Sequence, residues 1–134
     1  MSVYKNKRNP SDIQFLTTAK DIQVHTVRQM AKIPNKERYL LANEVASLAA
    51  QAHILLKEAN SIHPKNRRLA DERLNRLVDA YAKYQALISQ IGVAEEFGKF
   101  TDTAMTKWMQ LINEELRLIK ALIASDEERY KNLT

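Results

Sequence analysis

ADERLNRLVDAYAKYQALISQI, residues 70–91, sets the architecture predicted for the whole chain. Its apolar side chains recur every three or four residues, which keeps them in one stripe on a single face of an α-helix. The stripe consists of Ala70, Leu74, Leu77, Tyr81, Tyr84, Ile88 and Ile91. Because such a stripe is buried when a neighbouring helix covers it, the segment predicts one helix of a helical bundle.

Three other segments have the same helical periodicity. Ser11 and Thr101 are suitable N-caps, and Gly92 is a weak point near the end of the third helix. We expect the helices over about 11–32, 36–60 and 66–97, and from Thr101 into the charged tail. Together they predict an all-α, up-down-up-down antiparallel four-helix bundle over residues 11–134, preceded by a basic N-terminal arm at residues 1–10.

Composition limits the class of protein further. A chain of 134 residues without cysteine is predicted to form a single domain with no disulfide, which favours a reducing, cytoplasmic setting. No apolar run approaches the roughly 20 residues of a membrane-spanning helix. The net charge of +5 is compatible with a nucleic acid or an acidic protein as partner. An ordinary basic protein with neither partner remains an alternative.

Sequence patterns for catalysis and metal binding are missing. None of the three histidines, His25, His53 and His63, has an acidic residue three positions before it, as a di-iron bundle requires. Two glycines are too few for a phosphate-binding loop. Glu114 and Glu115 are helix neighbours that point in different directions, so we predict solvated side chains for both. His25 and His53 are also predicted to be solvated, and we expect no enzyme, metal or cofactor.

Two groups of residues are candidates for binding. The candidate nucleic-acid or partner contacts are Lys5, Lys7, Arg8, Lys65, Arg67, Arg68, Arg73 and Arg76. Glu72 and Arg76 lie one helical turn apart and could neutralise each other. A solvated helix face that binds no partner is therefore the alternative interpretation of these basic residues. A second apolar row on the fourth helix has no evident intrachain role and predicts an interface between copies of the chain: Leu111, Leu118 and Leu122.

The first helix has a similar excess of apolar residues. Its apolar side chains cover roughly 200° of arc, which is more than one helix–helix seam needs. Either both flanks pack inside the bundle, or part of the arc meets another subunit.

Several strings along almost the whole chain resemble one protein family. They are SVYKNKR at residues 2–8 with Phe15, Pro34 with Arg38-Tyr39, residues 59–64 and 85–91, Trp108 with Ile112, Glu115 and Leu118-Ile119, and Ser125-Asp126 with Arg129-Tyr130. The family comprises four-helix bundle proteins related to the accessory variability determinant of diversity-generating retroelements. It also includes the proteins encoded in intervening sequences of 23S ribosomal RNA genes.

This resemblance implies an assembly and a role. It implies a homopentameric barrel of bundles that has no catalytic activity and binds a reverse transcriptase and RNA or DNA. Carried onto this chain, its contact candidates are Arg67, Arg68, Arg73 and Arg76 together with the basic residues of the arm. The alternative is an oligomeric protein-interaction scaffold that has no nucleic-acid role.

Overall fold

The computed structural model of the chain describes residues 13–134. This part contains no strand and four α-helices, which are α1 (Gln14–Met30), α2 (Asn35–Ser61), α3 (Arg67–Glu95) and α4 (Asp102–Arg129). Each helix contacts the next one along the chain, and α1 also contacts α4. The predicted all-α class is therefore confirmed, and the arrangement is consistent with a four-helix bundle. The basic arm and the Ser11 cap lie outside the described residues.

Local side-chain chemistry sets several helix ends. The predicted Thr101 cap is confirmed, because its hydroxyl accepts a hydrogen bond from the Ala104 N–H at 3.1 Å. At the start of α3, the Asn66 side chain caps the Leu69 N–H at 2.9 Å. The third helix passes through Gly92 and ends at Glu95, slightly earlier than expected.

The buried face of α3 is rotated from the predicted stripe. Ala70, Leu77, Tyr84 and Ile91 are buried as expected, but Leu74, Tyr81 and Ile88 are only half-buried. The residue just before each of these three is buried instead, and Ala94 is buried as well. The additional buried residues are Arg73, Ala80, Leu87 and Ala94. The reason is that α3 contacts α2 more extensively than it contacts α4. Buried alanines on α2 permit this close approach, since they leave little side-chain volume between the helices.

Two backbone hydrogen bonds join distant parts of the chain. The Lys99 N–H donates to the Lys32 carbonyl at 3.1 Å, so the α1–α2 and α3–α4 loops meet. We call the end of the bundle where they meet the Lys32 end. The Arg67 N–H donates to the Thr134 carbonyl at 3.2 Å, which places the start of α3 beside the C-terminal residues. None of the described helices combines the length and the apolar character that crossing a membrane requires.

Gly92 provides a test of local helix stability. An added Cβ there meets no atom within 4 Å, whereas a Cβ at Gly98 would lie 2.5 Å from the Phe100 ring. Gly92→Ala should therefore raise the free energy of unfolding by about 1 kcal/mol, because alanine has the higher helix propensity. Gly98→Ala, the matched substitution, should give no gain. Urea unfolding followed by circular dichroism measures both, and an unchanged or lower stability of Gly92→Ala would contradict the prediction.

Candidate functional site

The predicted basic cluster at the start of α3 is largely neutralised by the chain's own acids. Arg68 Nη1 lies 2.8 Å from Glu72 Oε1, and Arg76 Nε lies 3.7 Å from Glu58 Oε1. Glu72 therefore pairs with Arg68 and not with Arg76 as the sequence suggested. All of these side chains are partly exposed, so the pairs add little stability but do lower the local positive potential.

The other members of the basic cluster differ in whether their charges have acidic partners. Arg67 Nη1 lies 3.7 Å from Asp71 Oδ1, and the guanidinium also donates to the carbonyls of Tyr130 and Leu133. Lys65 is exposed and forms no ion pair with any described residue. The predicted contacts Lys5, Lys7 and Arg8 lie outside the described part of the chain.

Arg73 does not lie on the surface, which corrects its predicted role as a contact residue. It is 7% exposed, and its Nε donates to Asp126 Oδ2 at 2.6 Å. Its Nη1 donates to the carbonyl of Ala59 at 2.9 Å and to that of Ile62 at 3.4 Å. The guanidinium therefore joins α3 to α4 and to the end of α2. Its position three residues after Ala70 puts it on the buried face of α3.

Four cations near the Lys32 end were not predicted as a site. Lys32 and Lys99 are joined through their backbones, and the charges of Lys107 and Arg28 act on the nearby His25. None of the four forms an ion pair with a described residue. The sequence carries no signal for this cluster, because its members lie on α1, α4 and two loops that meet only in the folded chain.

His25 is buried, although the sequence predicted a solvated side chain. Its Nε2 donates to the Ala104 carbonyl at 3.0 Å, and its ring meets Trp108 edge-on at 5.7 Å between centroids. Burial lowers the pKa of His25, the Ala104 hydrogen bond opposes this, and Lys107 and Arg28 lower the pKa further. The positive charge in this region therefore comes from Lys32, Lys99, Lys107 and Arg28 and not from the His25 imidazole.

His53 is half-buried and also has a specific partner. Its Nδ1 donates to Gln23 Oε1 at 2.8 Å, which connects α2 to α1 and gives that amide oxygen a hydrogen-bond partner. Burial lowers the pKa of His53, and the nearby Lys57 and Lys20 lower it further. The prediction of a freely solvated ring was therefore wrong for this histidine too.

The apolar row of α4 has a role within the chain. Leu111, Leu118 and Leu122 are half-buried and packed against the core of the bundle. Their use as an interface between copies stays a prediction. The more exposed apolar side chains include Val24 and Val27 on α1, which are 39% and 56% exposed.

Glu115 is the largest departure from the predicted surface. It is fully buried, although the sequence suggested a solvated side chain. Neither carboxylate oxygen has a hydrogen-bond partner among the described residues, and the same holds for the Tyr84 hydroxyl. Burial raises the pKa of Glu115 to about 9, with Glu114 adding to the rise. Burial also raises the pKa of the Tyr84 hydroxyl, and the charge of Glu115 adds to that rise. The carboxyl group is therefore protonated at neutral pH.

The described residues offer no metal centre. No three His, Asp or Glu side chains within residues 13–134 cluster in a way that could hold a metal ion. Comparisons with protein-family models, with curated proteins and with solved structures return no match for this chain. The candidate site therefore rests on the geometry of the unpaired cations and of the exposed apolar side chains.

Proposed function

We propose that this chain is a non-catalytic accessory protein, a basic helical bundle that associates with copies of itself and binds nucleic acid. The observation that carries the proposal is the cation cluster of the Lys32 end. Lys32, Lys99 and Lys107 have no acidic partner among the described residues, so their charges are free to meet phosphate groups. The paired arginines at the start of α3 would have to leave their acids first.

The architecture within this proposal is an up-down-up-down antiparallel bundle. The contact of the α1–α2 and α3–α4 loops at one end supports it, as does the contact of Arg67 with the C-terminal residues at the other. The family resemblance implies a homopentamer and a reverse transcriptase as the protein partner, and the lack of cysteine favours a cytoplasmic setting. Lys65, Arg67, Arg68 and Arg76 remain secondary nucleic-acid contacts in this proposal, together with the arm residues Lys5, Lys7 and Arg8.

Removing the free cations should weaken nucleic-acid binding. We expect Lys32→Ala/Lys99→Ala/Lys107→Ala to lower the affinity for RNA or duplex DNA by about tenfold or more at about 100 mM salt. The slope of log affinity against log salt should become shallower by about 2.7 for duplex DNA, because three phosphate contacts no longer release counterions. Fluorescence anisotropy with a labelled oligonucleotide, measured between about 50 and about 200 mM salt, gives both quantities.

A matched variant separates a local effect from a change in net charge. Lys57→Ala/Lys83→Ala/Lys131→Ala removes the same formal charge from lysines that lie away from the Lys32 end, and its affinity should stay close to that of the wild type. Equal losses in the two variants would contradict a specific surface at the Lys32 end. Undetectable binding of the wild type at low salt would overturn the nucleic-acid role.

An oligomeric protein-interaction scaffold without a nucleic-acid role is the second candidate. The exposed apolar side chains favour it, since Val24, Val27, Tyr39 and Leu40 all lie on the surface of the described chain. This function predicts a protein partner whose capture survives nuclease treatment. Loss of that partner on nuclease treatment would instead support the nucleic-acid role.

A further inference from the structure

The outward face of α1 carries an apolar ridge. Ile13, Val24, Val27 and Ala31 are all exposed and fall within a narrow arc of the helix, together with Lys20. The buried face of α1 lies on the opposite side, around Ile22. A helix with apolar side chains on two opposite faces is typical of a helix that is covered on both. We call this second face the α1 ridge.

An apolar groove runs between α3 and α4. Val78, Tyr81, Ile123 and Ala124 line its first part, with Lys120 and Glu127 at the rim. A second depression between the same two helices lies farther along, at Gly92. Glu95 is among its lining residues, and Ile88, Ile91, Met105 and Met109 form its apolar walls. We call the two depressions together the α3–α4 groove. It is open because α3 and α4 contact each other less than any other adjacent pair of helices.

The two surfaces fit each other in length and charge. From Ile13 to Val27, and likewise from Val78 to Gly92, the helical rise gives about 21 Å. If α1 of one copy lies parallel to α3 of another with Ile13 at the level of Val78, Arg28 comes to the level of Val93, which is about 3 Å along the helix from Glu95. Neither Arg28 nor Glu95 forms an ion pair with a described residue, so the contact would supply each with an opposite charge.

We propose that the α1 ridge of one copy of this chain packs into the α3–α4 groove of the next copy. This inference rests on the self-association in the proposed function and names the surfaces that mediate it. Each copy has one ridge and one groove, so the contact is head-to-tail and closes into a ring if the rotation between copies permits. The row of Leu111, Leu118 and Leu122 then serves the interior of each copy.

Two surface variants test the two sides of the contact separately. The ridge variant is Val24→Asp/Val27→Asp, and the groove variant is Val78→Asp/Ala124→Asp. All four side chains are exposed, so circular dichroism should show that both variants keep their helices. Ile54→Asp on α2 is the matched control, because Ile54 is 57% exposed and Val27 is 56% exposed.

Light scattering after size-exclusion chromatography measures the mass of each variant and of their mixture. The ridge variant and the groove variant should each fall to the monomer mass of 15.4 kDa, and Ile54→Asp should keep the wild-type mass. An equimolar mixture of the ridge and groove variants should form a species of twice the monomer mass, because one intact ridge still meets one intact groove. Arg28→Glu should also weaken association, and Glu95→Arg in the same chain should restore it.

Other outcomes overturn the inference in distinguishable ways. A groove variant that stays oligomeric while the ridge variant does not would indicate a contact between two α1 helices. An oligomer that survives both variants would place the interface elsewhere and leave the proposed function standing. A monomeric wild type would overturn the self-association in the proposed function as well, while nucleic-acid binding would be judged by its own measurement.

Discussion

Asp126→Ala should lower the free energy of unfolding by about 3–5 kcal/mol. Asp126 is the acidic partner of Arg73, whose side chain is almost fully buried between α3 and α4. Without that carboxylate, a buried guanidinium keeps its desolvation cost and loses its opposite charge. Urea unfolding at neutral pH, followed by circular dichroism, gives the difference from the wild type.

The double replacement Arg73→Met/Asp126→Leu provides the control. It removes both charges and keeps apolar volume, so most of the lost stability should return. The exposed pair Arg68–Glu72 gives the opposite comparison, because Glu72→Ala should cost less than about 1 kcal/mol. If Asp126→Ala cost no more than Glu72→Ala, the buried ion pair would not stabilise the junction of α3 with α4.

Glu115→Gln should make the chain more stable, and the gain should grow as the pH rises. The pKa of Glu115 rises from 4.5 to about 9 on folding, so the folded chain binds the proton more tightly than the unfolded chain. The stability that protonated Glu115 contributes is fully present below the pKa of the unfolded chain, 4.5. It is lost progressively as the pH rises toward the pKa of the folded chain, about 9. By about pH 7 the loss is on the order of 3 kcal/mol.

Glutamine has no proton to lose in this range, so the variant should lack that loss. We expect similar stabilities of the two proteins near pH 4 and a difference of about 3 kcal/mol in favour of Glu115→Gln near neutral pH. His25 and His53 titrate in both proteins, so their contributions cancel in the difference. Urea unfolding at several pH values measures it.

The neighbouring carboxyl group provides the matched control for this prediction. Glu114 is partly exposed and pairs with Arg117, so Glu114→Gln should show only the small part of the gain that its charge beside Glu115 accounts for. A difference between Glu115→Gln and the wild type that stays constant from pH 5 to pH 8 would contradict a protonated, buried Glu115.

The buried side chains of Arg73 and Glu115 could not be predicted from the sequence pattern. Helical periodicity identified the residues at 70, 77, 84 and 91 as interior, and it did so because apolar spacing follows from helix geometry alone. The same periodicity treated Arg73 and Glu115 as surface residues, because it assumes that charged side chains face water. Arg73 is buried beside an aspartate 53 residues away, which no local pattern encodes.

The candidate sites divide in the same way. Net charge and the cluster at the start of α3 could be read directly, but pairing with Asp71, Glu72 and Glu58 depends on how side chains meet within and between helices. The cations of the Lys32 end come together where the α1–α2 and α3–α4 loops meet and α1 contacts α4. The wide apolar arc of α1 was visible in the sequence, whereas the structure located its exposed part on the outward face.

By itself, the sequence determined the all-α class, the four helical segments and the Thr101 cap. These features depend on residues within one or two helical turns, where backbone geometry fixes the spacing. Tertiary structure selected which side of each apolar stripe is buried, which charges are neutralised and which carboxyl group keeps its proton. Those properties depend on the groups that other helices bring close, and the energies of burial and pairing follow from these neighbours.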